Sequence, residues 1–239
     1  MLSLSQGITR ADSEEDIHTL RSIRALAYLQ IKRFDGALSD LEIASSIAPL
    51  TGKSLFRKSQ ALHGLTRWRA CAKTLKDLCI KHPNEEEVQE KLKRIINRIV
   101  EQSTGKYSFK QLYAEVEELK LPYLDHATYT GPVEVRPSST GGRGLFTTAT
   151  VKAGDLLLCE KAFACAFYDD SIERDYQITV LMTPEYKSMA IGMQTDLDQI
   201  IIQKLYRNPS LSPIITDLCH GSYDPVGVTN VDDTPVVDS

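Results

Sequence analysis

The sequence predicts an α+β chain: an all-α helical repeat array in the first half, then a β-rich half that carries a helical insertion. Three observations predict it. Residues of the first half match one another at an offset of 34, the period of a helix-turn-helix repeat. After Val133 the helical period gives way to short alternating runs bounded by glycine and proline. The charge also divides: Met1 to Lys110 holds 19 Lys and Arg against 13 Asp and Glu, and Gln111 to Ser239 holds 9 against 19. Two electrostatically different modules follow from that.

The 239 residues, 42% of them hydrophobic, suffice for one large or two modest cores. Met1 to Asp16 carries Asp12, Glu14, Glu15 and Asp16 and no apolar run, which resembles neither a secretory signal nor a membrane span. The expected location is cytoplasmic, nuclear or both. Five widely spaced cysteines, without a C-x-x-C pair, read as reduced thiols, so no metal is expected. The five histidines are equally scattered and read as structural or exposed.

At the offset of 34, Arg33-Phe34 aligns with Arg67-Trp68, Ala37 with Cys71, Leu41 with Leu75, Ala44 with Leu78, and Pro49 with Pro83. The first copy resembles the tetratricopeptide (TPR) pattern, with Ala25 and Tyr28 on one helix, Ala37, Leu41 and Ala44 on the next, and Pro49 closing it. The second copy is weaker, with Ser59 and Leu62 on its first helix, but keeps Trp68 and Pro83. Proline ends each unit because it cannot donate the helical hydrogen bond. Asn84 is the expected N-cap of a further helix with Val88, Leu92, Ile95, Ile96, Ile99 and Val100 on one side. Lys91, Lys93, Arg94 and Arg98 are assigned to the other side, and the helix ends near Gly105. The array, 15–104, is expected to offer a groove to a protein or peptide partner. Arg57, Lys58, Arg67, Arg69, Lys73 and Lys76 form either a clamp for an acidic peptide or a solvated basic face.

Residues 105–130 read as a linker: an amphipathic helix from Ser108 to Leu121, with Phe109, Leu112, Val116 and Leu119 on one side, then an irregular stretch. From 131 to 239 the expected elements are a strand at Val133–Arg136, a glycine-rich turn, strands at Leu145–Thr148 and Leu156–Glu160 in a small meander, and two helices over 174–193 and 196–207.

The string Gly142-Arg143-Gly144-Leu145-Phe146, then Val151-Lys152-Ala153-Gly154-Asp155 and Leu156-Leu157-Leu158-Cys159-Glu160, resembles the opening of a SET domain. The resemblance implies the N-terminal half of a SET domain with its insertion. It also implies S-adenosylmethionine as cofactor, bordered by Gly142, Arg143 and Gly144, and a protein-lysine substrate for the full-length family. The family's second half carries an Asn-His-Ser-Cys-type segment and a catalytic tyrosine. The chain contains no Asn-His pair, so no catalytic residue is assigned and the expectation is a fragment of a TPR-SET methyltransferase. The alternative is a non-catalytic TPR interaction module. Neither membrane nor direct nucleic-acid binding is expected.

Overall fold

The computed structural model describes residues 2–119, 123–167, 180–183, 188–218, 230–231 and 234–235. In chain order the helices are α1 (Leu2–Arg10), α2 (Glu14–Gln30), α3 (Phe34–Ile47), α4 (Gly52–Gly64), α5 (Trp68–Lys81), α6 (Glu86–Thr104), α7 (Phe109–Glu118), α8 (Met193–Arg207) and α9 (Ser212–Thr216). The strands are β1 (Tyr129–Thr130), β2 (Val133–Pro137), β3 (Arg143–Thr147), β4 (Leu158–Cys159), β5 (Val180–Thr183), β6 (Ser188–Ile191), β7 (Asn230–Val231) and β8 (Thr234–Pro235). The chain is thus largely helical with small two-stranded sheets, an α+β arrangement. It divides into two compact units, Met1–Arg67 with Phe163–Ser239, and Trp68–Ala162.

In the first unit, local chemistry sets the helix starts. Ser13 Oγ accepts from Asp16 N at 3.0 Å to cap α2, whose first turn carries Glu14, Glu15 and Asp16, and Thr51 Oγ1 caps α4 through Ser54 N. These oxygens satisfy amides that have no partner within the helix, and the acids suit its positive end. At the other end of α2, Lys32 takes φ 58°, and Arg33 N donates to Tyr28 O at 2.8 Å. The end of α4 repeats this turn: Thr66 takes φ 56°, and Arg67 N donates to Leu62 O at 2.8 Å.

The offset of 34 is therefore carried by the backbone as well as the side chains. Helices α3 and α5 start and stop 34 positions apart, as do the two left-handed turn residues. Each aligned pair, Ala37 with Cys71, Leu41 with Leu75 and Ala44 with Leu78, is buried. The alanines let α2 and α3 approach closely around Ala25 and Leu41. Asp40 is buried and satisfied, accepting from Arg24 Nε at 2.7 Å and Nη2 at 2.6 Å and from Arg21 Nη1 at 2.8 Å. That hydrogen bonding to Asp40 raises the Arg24 pKa above its ordinary value.

The same unit includes α8, which reaches α3 through Asn208. Its Oδ1 accepts from Phe34 N at 2.6 Å and Asp35 N at 3.2 Å, while Nδ2 donates to Lys32 O at 2.9 Å. Arg33 supplies no side-chain cap to α3, so the cap comes from 174 residues further along the chain. Ser210 reinforces it, its N and Oγ both donating to the Asp35 carboxylate. The segment read as a helix over 174–193 instead contains the antiparallel hairpin β5–β6, with Val180 opposite Ile191 and Thr183 opposite Ser188. Pro184 opposes a helix there, lacking the amide and disfavouring helical backbone at the residue before it. Residues 174–179 lie outside the described residues. Thr234-Pro235 forms β8 opposite β7.

In the second unit, α5 packs on α6 through Leu75, Leu78, Val88 and Ile95. Glu85, not Asn84, is the residue before α6, and it makes no side-chain cap. Gly105 ends α6 at φ 65°, and a Cβ there would lie 2.5 Å from the Tyr129 ring, so both backbone and space demand glycine. The strand at 133–137 pairs with 143–147 from Val133↔Thr147 to Pro137↔Arg143. Strand β4 does not extend this hairpin into a meander. It pairs with β1, in a stretch whose sequence shows no strand period, and Gly131 N donates to Leu157 O at 2.9 Å. No helix of the described residues is long and apolar enough to cross a membrane.

Candidate functional site

Gly142, Arg143 and Gly144 lie where the turn of the β2–β3 hairpin runs into β3. Ser138 N donates to Gly142 O at 3.0 Å and Gly141 N to Ser138 O at 3.1 Å, closing the turn, while Ser138 Oγ and Thr140 Oγ1 lie 2.8 Å apart. Gly142 takes φ 70°, a conformation that favours glycine, and a Cβ there would meet nothing within 4 Å. Gly144 is strand backbone opposite Arg136, without positive φ, and a Cβ would sit 3.0 Å from the Phe146 ring. What requires a small residue at 144 is therefore the ring two residues on, over which the Arg136 guanidinium stacks at 4.2 Å. The hairpin brings the three residues together on an exposed edge, and at Gly142 no described residue encloses them.

A second locus was not read from the sequence. In α6, Arg98 Nη1 donates to Glu101 Oε1 at 2.5 Å, and both residues are 7% exposed. His126 connects this pair to α7: Nδ1 lies 2.8 Å from Glu101 Oε1 and Nε2 lies 2.9 Å from Glu115 Oε2. Glu101 Oε2 also accepts from Ala127 N at 3.0 Å. A buried carboxylate with this many donors meets the requirement that buried charge be paired and hydrogen-bonded. Arg98 was assigned to the solvent side of its helix, but it lies one turn from Ile95 and is buried beside it. The spacing of Arg98 and Glu101 is the one signal that could have revealed it.

Beside this cluster opens a cavity of about 650 Å³ between α6, α7 and the segment Tyr123–His126. Helix α7 has no buried residue, and its expected apolar side is half open, with Phe109 50% and Leu119 43% exposed. Nearby, Tyr107 Oη donates to Ala127 O at 2.6 Å, and burial, with Cys159 next to it, pushes the phenol well above its ordinary range. Burial also pushes the Cys71 thiol up to about 12, with Asp125 adding to it. Cys71, Cys79, Cys159 and Cys165 are free thiols, and Cys219 lies outside the described residues.

No family model matches the chain, and no solved structure matches it significantly. It is 39% identical over 216 residues, 90% of its length, to a protein of Gibberella zeae named "Methyltransferase". The chain spans 30% of that relative's length.

Proposed function

We propose that the chain is the leading part of an S-adenosylmethionine-dependent protein-lysine methyltransferase, a TPR array joined to the first half of a SET domain. The single observation that carries this is the 39% identity, across nearly the whole chain, to a fungal protein named as a methyltransferase. The helix-turn-helix units repeating every 34 residues support the TPR assignment, and the glycine hairpin over 142–144 supports the SET assignment. In this reading the hairpin borders the cofactor on one side. Gly142 lets backbone approach it, and Arg143 presents a cation to its carboxylate. Methyl transfer to lysine depends chiefly on aligning the amine with the sulfonium methyl in a dry channel. The walls of that channel would come from the remainder of a longer protein.

Calorimetric titration of the chain with S-adenosylmethionine tests the cofactor assignment. Saturable heat that Gly142→Val and Arg143→Ala each diminish is the expected outcome. No heat at millimolar ligand would remove the hairpin from the cofactor's surroundings.

One observation favours the alternative, a non-catalytic interaction module. Arg69, Lys73 and Lys76 recur on one exposed side of α5, a basic stripe suited to an acidic peptide. Fluorescence anisotropy with a labelled hexaglutamate peptide separates the two: salt-sensitive binding weakened by Lys73→Ala supports the module, and none excludes this stripe as its site.

A further inference from the structure

The cavity beside the Arg98–Glu101–His126 cluster has walls of opposite charge. Its α6 wall presents Arg94, Asn97 and Arg98, with Glu101 of the same helix paired to Arg98, and the facing wall presents Glu115 and Glu118 of α7 with Asp125 just beyond. Charges so arranged attract, yet among the described residues the walls are joined chiefly through His126. The basic wall also keeps an unused donor. Arg98 Nε is buried and finds no hydrogen-bond acceptor among the described residues, with Asp125 Oδ2 4.0 Å away. An arginine N–H left this way forfeits a charge-assisted bond that folding could have supplied, which marks a place for an acceptor from outside the chain.

We infer that this cavity is a binding site for a small zwitterion bearing an α-amino carboxylate. The carboxylate accepts from Arg98 Nε and faces Arg94, and the ammonium group faces Glu115 and Glu118. A simple anion is disfavoured because four carboxylates, Glu101, Glu115, Glu118 and Asp125, line the cavity, and a simple cation because the buried end is arginine. A molecule carrying both charges satisfies both walls at once. The volume, about 650 Å³, exceeds a free amino acid and leaves room for its side chain or for a larger molecule attached to it. Asn97 and Gln111 line the same space and offer amide groups to that remainder. This inference stands apart from the cofactor assignment, since the hairpin at 142–144 contributes nothing to it.

Nuclear magnetic resonance of the whole chain tests it, with the Arg98 Nε–H resonance as readout. The probes are L-lysine, L-methionine and L-glutamate, each at up to about 10 mM, with acetate and methylammonium as half-molecule controls. At least one amino acid should shift that resonance saturably, while neither control does so at the same concentration. The exposed substitutions Arg94→Gln and Glu118→Gln, which leave the buried pair intact, should each weaken binding by about tenfold. No saturable shift with any amino acid overturns the inference. So does an equal response to acetate alone, or binding that ignores both substitutions.

Discussion

Replacing Asn208 by alanine should release the N-terminus of α3 although the two are remote in sequence. The side chain accepts from Phe34 N and Asp35 N and donates to Lys32 O, and the residue is 2% exposed, so water cannot substitute without rearrangement. Loss of an N-cap costs about 1 kcal/mol, and stranding the buried partners adds about as much, for a total of roughly 2 kcal/mol. Since each 1.4 kcal/mol is a factor of ten, local opening at these amides should rise roughly thirtyfold. Hydrogen exchange followed residue by residue reads this directly. The Phe34 and Asp35 amides should lose protection in Asn208→Ala, while Ala37 and Leu41 lose less. Asp35→Ala removes the acceptor for Ser210 N and Oγ, so the double variant should lose less than the sum of the two single losses. Unchanged exchange at Phe34 would show that Asn208 does not cap α3, and strict additivity would show that the two contacts act independently.

Leu75→Ala removes a side chain only 1% exposed between α5 and α6, and should cost about 2–5 kcal/mol in urea unfolding. Gly142→Val forces a β-branched residue into φ 70° and should cost roughly 1–2 kcal/mol, seen as lowered protection of the β2–β3 amides. The Cys71 thiol, with its pKa pushed up to about 12 from an ordinary 9.0, should resist iodoacetamide at pH 8 while the half-buried Cys79, Cys159 and Cys165 react faster. The same shift fixes a sign for stability. The folded state keeps the proton that the unfolded chain releases, so Cys71's contribution is complete below pH 9 and declines between pH 9 and 12, which alkaline unfolding of wild type against Cys71→Ala measures.

The repeat was legible in the sequence because its determinants are local and duplicated: small and aliphatic residues at matching positions, and a proline after each second helix. The left-handed turn residues were not legible, because Lys32 and Thr66 are neither glycine nor asparagine and only the fold holds them there. The glycine hairpin could be located from its residues, yet the reason for a small residue at 144 depends on where the Phe146 ring lies. Strand β1 escaped notice since two residues carry no period, and its partner β4 is fixed by Gly131 and Leu157 rather than by an alternating pattern. The hairpin pairing 180–183 with 188–191 is not legible because its short apolar runs suit either state. The Arg98–Glu101–His126 cluster needed tertiary contact to appear at all.

The long-range cap on α3 also orders events during synthesis. The residue that accepts from the Phe34 and Asp35 amides is made 174 and 173 residues after them, so α2 and α3 leave the ribosome before it exists. The first helical hairpin must therefore persist on its own alanine-lined contact until Asn208 emerges, and a nascent chain halted at Arg207 would hold α3 with a frayed first turn.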